Sequence, residues 1–167
     1  NENFQAVTLP YGDEEMSMKV FLPKENTSLA QFKELLTNKN WAAWDAEFMS
    51  LEGTILLPKF QIEYETLLKD TLGKLGMHAA FMEDADFTKM IKEDHPVCIS
   101  EGQQKTFIDV GEGGTEAAAV TSIGMKTTSM PIESPFEMEV NRPFFIAITD
   151  DETDTILFMG SIGNPQQ

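Results

Sequence analysis

The sequence predicts an α+β fold that is dominated by antiparallel and mixed β-sheets and contains a few short helices. Three observations support this class: several segments alternate between apolar and polar residues, only short stretches show helical spacing, and no internal repeat or heptad run is present. The chain has 167 residues, of which 41% are hydrophobic. It can therefore bury one core, and we expect one domain or a piece of one.

The first predicted element is an antiparallel hairpin. Residues 4–9 form one strand, residues 12–15 have turn composition, and residues 16–22 alternate toward Pro23. We expect one face of this hairpin to be buried and the other to face water.

Helices are predicted at three places. Ser28 can cap a helix that begins near Leu29, because the apolar residues that follow recur at helical spacing. The leucines of residues 67–75 predict a second helix, and Gly76 suits its C-terminal end. Residues 86–90 are expected to form a short third helix.

Further strands are predicted by apolar and β-branched segments. Residues 48–57 form one strand, with Gly53 as a bulge or bend, and residues 58–63 form a separate short extended piece. Residues 97–110 contain extended segments, and residues 136–162 contain two or three strands that are separated by an acidic turn.

The composition argues against several classes of partner. The 12 basic and 28 acidic residues give a formal net charge of -16, which repels nucleic acid and anionic membrane surfaces. No apolar run approaches the roughly 20 residues that span a bilayer. Cys98 is the only cysteine, so no intrachain disulfide can form, and its apolar neighbours predict a buried, inert thiol.

The sequence predicts no catalytic or metal-binding set. His78 and His95 are the only histidines, and neither has a second histidine or a cysteine at metal-ligand spacing. The glycines of residues 111–114 lack the full spacing of a phosphate-binding loop. We therefore expect no enzyme activity, no cofactor and no metal.

Residues 111–135 form a long segment that is rich in Gly, Ala, Thr and Ser and lies between two apolar strands. A structureless connection of this length is uncommon inside a compact domain. From Thr115 to Lys126 the residues alternate: one set of positions carries no charge, and the other carries both charges, Glu116 and Lys126. The pattern alone leaves two interpretations, a flexible linker and a latent strand with one buried face.

Short motifs along the whole chain resemble those of the serpin family, and they occur in the family's order. They are LPY at 9–11, FLP at 21–23, LPKF at 57–60, LGKLGM at 72–77, EGGTEAAA at 112–119, VNRPFFI at 140–146, and ILFMG at 156–160 followed by NP at 164–165.

This resemblance implies a serpin-type fold in which residues 1–167 are the C-terminal part of a single domain. A whole serpin is more than twice as long, so we expect this chain to lack most of the helices and several strands of the large central sheet. The start at Asn1, without a methionine, is expected to be a cut inside a longer protein. The resemblance also favours an extracellular location.

The resemblance further implies that residues 112–135 are the reactive-centre loop of a serine protease inhibitor. The protease cleaves such a loop and forms an acyl-enzyme, and the cleaved loop then inserts into the central sheet, a known instance of strand addition. Family spacing places the cleaved bond at Thr128-Ser129, which suits an elastase-like or subtilisin-like protease. The alternative bond, Lys126-Thr127, suits a trypsin-like protease. The hinge of the loop comprises Glu112, Gly113, Gly114, Thr115, Glu116, Ala117, Ala118 and Ala119.

The hinge residues meet the physical demands of insertion. Large or charged side chains at alternate positions of a packed sheet would cost on the order of 1–3 kcal/mol each. Thr115, Ala117 and Ala119 are small and uncharged, and Gly113 and Gly114 permit the reversal that starts insertion. An inhibitory serpin is therefore favoured over a non-inhibitory interaction, storage or chaperone protein.

Further expectations concern the base of the loop and the missing strands. The resemblance implies that Glu112 pairs with Lys59, and a partly exposed pair contributes only about 0–1 kcal/mol. Gln104 stands where many serpins have a histidine, and Gly102 is unusual for a strand. Without the missing strands we expect unpaired sheet edges, self-association and no trapping of a protease by the isolated chain.

Overall fold

The structure is a computed structural model that describes residues 1–12, 15–91, 97–111 and 135–165. Strands outnumber helices, and the helices are short, which confirms the α+β class. The elements in chain order are β1 (Phe4–Tyr11), β2 (Met16–Pro23), α1 (Leu29–Glu34), α2 (Asn38–Asp45), β3 (Gly53–Leu56), β4 (Phe60–Leu67), α3 (Lys69–Leu72), β5 (Gln103–Val110), β6 (Phe136–Glu139), β7 (Phe144–Asp150) and β8 (Thr155–Ile162). The chain divides into two compact units, residues 1–60 with 109–167, and residues 61–108.

The largest sheet has four strands in the order β1-β2-β7-β8, and every neighbouring pair is antiparallel. The predicted hairpin of β1 and β2 is confirmed. The expectation that one of its faces is wet is wrong for β2, whose residues 17–23 are all buried. The physical reason is that both faces of the sheet are covered at β2, one by α1 and α2 and the other by a second apolar layer that includes Phe60.

One face of this sheet packs against α1 and α2 through aromatic rings. Phe21 and Phe145 from the sheet and Phe32 from α1 are almost fully buried. The Phe32 ring stacks on Trp44 of α2 with 5.8 Å between centroids, and Phe4 meets the same Trp44 edge-on at 4.8 Å. Aromatic pairs of this kind contribute about 0.5–1.5 kcal/mol beyond their burial, so they attach two short helices to the sheet.

The opposite face of the sheet is also buried. Val20 and Leu22 on β2 and Phe144 and Ile146 on β7 are at most 1% exposed. Phe60, the first residue of β4, contacts Phe144 edge-on with 5.5 Å between ring centroids. The alternating side chains of β2 and β7 therefore enter two separate apolar layers.

The helix α1 begins as predicted, whereas α2 was not predicted. Ser28 and Gln31 form a capping box, in which the Ser28 hydroxyl accepts from the Gln31 amide at 3.2 Å and the Gln31 side chain accepts from the Ser28 amide at 2.8 Å. Helix α2 is capped by Thr37 and has no buried residue of its own. Its weak apolar periodicity explains why the sequence did not indicate it.

Two predicted strand boundaries are wrong. The strand expected over 48–57 is limited to β3, residues 53–56, which pairs in parallel with β6. The short piece expected over 58–63 is the longer β4, residues 60–67, which pairs with β5. Partner strands set these limits, because an extended segment is a strand only where another backbone accepts its hydrogen bonds.

The strands β7 and β8 and the turn between them agree with the prediction. Asp151 fastens this turn to β2: its carboxylate accepts from the hydroxyls of Ser17 and Thr149, the latter at 2.9 Å, and its amide donates to the Glu15 carbonyl at 2.9 Å. The turn closes with Asp154 in a left-handed conformation, at φ 54°.

The unit of residues 61–108 has less regular structure. Helix α3 is one turn long and continues through a wide turn to Gly76, whose φ of 100° ends the helical path as expected for a C-terminal glycine. The helix predicted over 86–90 is a single hydrogen-bonded turn, in which the Ile91 amide donates to the Phe87 carbonyl at 2.9 Å. Asp86 accepts from the backbone amide and the hydroxyl of Thr88, which favours a turn over a longer helix.

Cys98 is exposed, so the prediction of a buried thiol is wrong. Its segment, residues 97–100, forms no strand, and the neighbouring Val97 and Ile99 are themselves only half-buried, so they do not enclose the thiol. Within the described ranges, no helix is both long enough and apolar enough to cross a bilayer.

Candidate functional site

The predicted loop lies outside the described residues. This applies to the hinge, Glu112–Ala119, and to both bonds considered for cleavage, Thr128-Ser129 and Lys126-Thr127. Their roles stay predictions. The structure describes the chain on both sides of the loop, up to Gly111 and from Pro135 onward, so the candidate site is built from these two flanks.

The N-terminal flank is strand β5. Ile108 and Val110 are each 7% exposed, whereas Phe107 and Asp109 are exposed, which is the period of two of a strand with one buried face. Strand β5 pairs with β4 and ends at Val110, so the chain that enters the loop comes directly from a paired strand.

The other end of the β4–β5 pair is joined by backbone and side-chain contacts. The Leu68 amide, just after β4, donates to the Gly102 carbonyl, just before β5, at 2.8 Å. Lys105 and Glu65 form an ion pair at 3.0 Å with both side chains more than half exposed. An exposed pair of this kind contributes about 0–1 kcal/mol, so the backbone ladder carries most of this attachment.

The C-terminal flank is strand β6. The Phe136 amide donates to the Glu52 carbonyl at 3.1 Å, and the Val140 amide donates to the Leu56 carbonyl at 2.9 Å. Met138 and Val140 are each 2% exposed, and the glutamates between and before them face water. Strand β6 is thus short, but it is fixed by hydrogen bonds at both ends and by two buried side chains.

The first residues of β3 and β6 pack in an unusual way. Gly53 lies opposite Phe136 in the parallel register, and the Phe136 ring occupies the space in which a Cβ atom on residue 53 would lie. The sequence predicted a bulge or bend at Gly53. The structure instead shows an ordinary strand position whose missing side chain makes room for a ring.

Arg142 fixes the segment that follows β6. Its Nε donates to the Pro23 carbonyl at the end of β2 at 2.8 Å, and its Nη1 lies 3.3 Å from the Asn141 side-chain oxygen. These contacts account for an arginine within the motif at 140–146. No local pattern in the sequence points to the contacts of Arg142 or Phe136, because their partners lie on strands that are distant along the chain.

Of the residues named for the base of the loop and its surroundings, Lys59 and Gln104 are exposed. Lys59 lies between β3 and β4, and its expected pairing with Glu112 stays a prediction because Glu112 lies outside the described residues. Gln104 is an exposed residue of β5. Gly102 precedes that strand, which removes the difficulty of a glycine in a strand interior.

The larger unit, residues 1–60 with 109–167, also contains an open cavity of about 530 Å³ beside α2. Lys19 is buried there, pairs with the Asp45 carboxylate, and lies 5.8 Å from the ring centroids of both Trp41 and Phe48. The buried hydroxyl of Thr8, also in the lining, has no hydrogen-bond partner among the described residues. Cavities of this size with a few polar groups are typical of small-molecule sites.

Within the described part of the chain, no group of three or more His, Cys, Asp or Glu residues is arranged to hold a metal ion. His78 lies exposed in a short turn after Gly76, and His95 lies outside the described residues.

Comparisons with known proteins identify relatives of the whole chain. A model of the serpin family, described as serine protease inhibitors, matches residues 1–165. Antitrypsin from Bombyx mori is 34% identical over 160 residues, which cover 95% of this chain and 40% of that protein.

Solved structures agree with this match. The thermophilic serpin tengpin in its native state is 35% identical, with a TM-score of 0.79 over 98% of this chain and 43% of that chain. Human thyroxine-binding globulin in complex with thyroxine is 28% identical, with a TM-score of 0.81 over 99% of this chain and 42% of that chain. The chain thus spans about two fifths of the length of the relatives it matches.

Proposed function

This chain belongs to the serpin family, and we propose that the protein containing it inhibits serine proteases by a cleavable reactive-centre loop at residues 112–135. We further propose that residues 1–167 are the C-terminal part of a single serpin domain. The observation that carries the inhibitory proposal is the hinge pattern, in which alternate residues Thr115, Ala117 and Ala119 are small and uncharged.

The mechanism places a specific demand on this pattern. The protease serine attacks the loop carbonyl, an ester forms between protease and loop, and the amine of the following residue leaves. Inhibition then requires that the loop enter the central sheet before water hydrolyses the ester. Alternate hinge residues must become buried, so a charge at one of them would slow insertion and favour hydrolysis.

The two flanks of the loop support this proposal. Strand β5 leads into the loop with Ile108 and Val110 buried, whereas the small, uncharged set begins at Thr115 and is out of phase with them. The reversal that Gly113 and Gly114 permit lies between the two alternations, as insertion requires. Strand β6 holds the chain after the loop through two backbone hydrogen bonds. A loop whose flanks are each paired with a neighbouring strand can be presented to a protease without unfolding its surroundings.

The sequence of the loop favours a particular class of protease. A threonine before the cleaved bond Thr128-Ser129 suits the small or medium pocket of an elastase-like or subtilisin-like enzyme. Cleavage at Lys126-Thr127 instead suits a trypsin-like enzyme, and a relative named antitrypsin keeps this alternative open.

The inhibitory proposal is tested by complex formation. The full-length protein, incubated with elastase-, subtilisin- and trypsin-like enzymes, is expected to give a covalent complex that survives SDS. Thr115→Arg should convert it into a substrate that is cleaved without a complex. Glu116→Arg is the matched control, since position 116 is on the charged side of the alternation and should tolerate the change. Cleavage of the wild type without any complex would contradict the proposal.

The cleaved bond is tested separately by mass spectrometry of the released C-terminal peptide. We expect this peptide to begin at Ser129, and a peptide that begins at Thr127 would assign the alternative bond. Thr128→Arg should move the preference from elastase-like to trypsin-like enzymes and leave the hinge unchanged.

A non-inhibitory interaction, storage or chaperone protein is the second candidate function. Two observations favour it: a neighbour of high TM-score is a thyroxine-binding protein, and a cavity with the polar groups of Lys19, Asp45 and Thr8 is present. The SDS complex decides between the two functions, because only the inhibitory one requires a covalent bond to the protease.

A further inference from the structure

We propose that Phe136, seated on Gly53, is a clamp that positions the C-terminal end of the reactive-centre loop. The expected effect on inhibition rests on the proposed function, whereas the clamp itself can be measured without a protease. Phe136 is proposed as a positioning residue, because it would act through the pairing of β6 with β3 and stands seven residues after Ser129 in the sequence.

Gly53 is required for space and not for backbone conformation. Among the described glycines, positive φ angles occur at Gly12 and Gly76, and Gly53 is not one of them. An added Cβ at Gly12 or Gly76 would meet nothing, whereas a Cβ at Gly53 would overlap three carbons of the Phe136 ring. The two residues are therefore complementary: the ring fills the space that the glycine leaves empty.

The ring lies at the point where the chain leaves the loop. Phe136 is the first residue of β6, and β6 has only four residues. In the described part of the chain its backbone pairs with β3 alone, so few hydrogen bonds resist its detachment. An aromatic ring that covers a strand glycine stabilises such a pair by shielding the adjacent backbone and fixing the register.

The position of the clamp determines the length of the C-terminal tether. Phe136 lies seven residues after Ser129, which is a span of at most about 25 Å when fully extended. If β6 detached up to Val140, the tether would gain four residues. The bond presented to the protease would then be less well positioned. The C-terminal end of the loop could then also move, and not only the N-terminal hinge that inserts into the sheet.

The clamp is tested by hydrogen exchange in the full-length protein. Phe136→Ala and Gly53→Ala should each raise the exchange rate of the Phe136 and Val140 amides at least tenfold, since both amides donate to the β3 side. Glu139→Ala is the matched control on the exposed side of the same strand, and it should leave these rates unchanged.

A double variant tests the complementarity directly. With Phe136→Ala in place, the Cβ added by Gly53→Ala enters vacated space. The amide exchange rates of the double variant should therefore rise by less than the two single variants predict when their effects on the opening free energy are added. Additive effects would overturn the clamp, as would unchanged exchange in both single variants. If Phe136→Ala does not fold, Phe136→Leu provides the test and should give an intermediate exchange rate, and wild-type exchange in that variant would also overturn the proposal.

The consequence for inhibition is measured with the same variants. Each single variant should raise the stoichiometry of inhibition at least twofold and yield more cleaved, uncomplexed protein, at a melting temperature within a few degrees of the wild type. A merely structural role would lower the melting temperature and leave the stoichiometry unchanged, and that result would overturn the positioning role. If the wild type forms no complex with any protease, the proposed function fails, and the exchange experiment still decides the clamp.

Discussion

At the scale of single residues, Lys19 joins α2 to the sheet. Its side chain is 8% exposed and pairs with Asp45, whose side chain is 34% exposed. The ammonium group also faces the rings of Trp41 and Phe48. An ammonium buried in this way is stable only while a carboxylate and aromatic faces replace its water.

Removal of Asp45 should destabilise the protein more than removal of Lys19. Asp45→Asn leaves a buried charge without a counterion and should lower the free energy of unfolding by about 1–3 kcal/mol. Lys19→Met keeps the apolar stem and leaves Asp45 able to reach water, so we expect a loss below about 1 kcal/mol. Urea unfolding of the full-length protein measures both. A larger loss for Lys19→Met than for Asp45→Asn would contradict this account.

Asp150 shows how a turn changes a carboxylate. The backbone amide and the hydroxyl of Thr153 both donate to its oxygen at 2.8 Å, and these hydrogen bonds lower the pKa of Asp150 below its ordinary value. Because the folded pKa is depressed, the stabilisation is present above the unfolded value of about 3.9. It is lost as the pH falls through the lower, folded pKa.

Thr153→Ala should raise the pKa of Asp150 only part of the way to its ordinary value, because the backbone amide, the larger cause, remains. An NMR titration of the carboxyl carbons measures this shift. Asp86 is an internal control, since its pKa is lowered by the hydroxyl and amide of Thr88 and should not change. An unchanged pKa for Asp150 would remove the hydroxyl as a cause.

At the scale of elements, α1 follows from local signals and α2 does not. The cap at Ser28 and the spacing of apolar residues from Leu29 are properties of a short sequence, so they predicted α1. The tryptophans of helix α2 contact Phe4 and Phe21 of the sheet and Phe32 of α1. Its stability therefore depends on residues that are distant in sequence, which a local pattern does not contain.

The cap of α1 leads to a testable change. Ser28→Ala removes the acceptor for the Gln31 amide and should cost about 1 kcal/mol of stability. Ser28→Asp keeps an acceptor and should stay near the wild type. Thr27→Ala, which removes a neighbouring hydroxyl outside the cap, is the control. Thermal unfolding of the full-length protein ranks the three variants, and equal midpoints for Ser28→Ala and Thr27→Ala would show that the cap contributes nothing.

At the scale of the whole molecule, the chain has large apolar side chains at its surface. In the larger unit these include three consecutive residues of β8, an outer strand of the four-stranded sheet: Leu157, Phe158 and Met159, which are 44–59% exposed. In the unit of residues 61–108, Tyr64 and Leu67 are about 60% exposed. Since the chain spans about two fifths of its relatives' length, we propose that these surfaces are covered by other parts of a whole serpin.

The 167-residue chain alone should therefore self-associate and form no SDS-stable complex with a protease. Light scattering during size exclusion at 10–100 µM measures the association. Met159→Glu should reduce it by placing a charge on an exposed apolar strand, whereas Thr155→Glu, at an exposed polar position of β8, should change it less. A monomer that inhibits a protease with a stoichiometry near one would contradict this expectation.

The sequence by itself determined the features that depend on near neighbours along the chain. These are the α+β class, the hairpin of β1 and β2, the start of α1, the paired strands β7 and β8, and the family to which the motifs point. The roles of the hinge and of the bond Thr128-Ser129 stay predictions, because those residues lie outside the described ranges.

Only the tertiary structure decided the features that depend on distant segments. These are the burial of both faces of β2, the short length of β3, the presence of α2 and the exposure of Cys98. The requirement for a glycine at position 53 also belongs here, because the Phe136 ring occupies the space of its missing side chain. The physical reason is the same in each case. Burial, strand limits and space for a ring are set by which backbones and side chains meet in the fold, and a local pattern does not specify the partner.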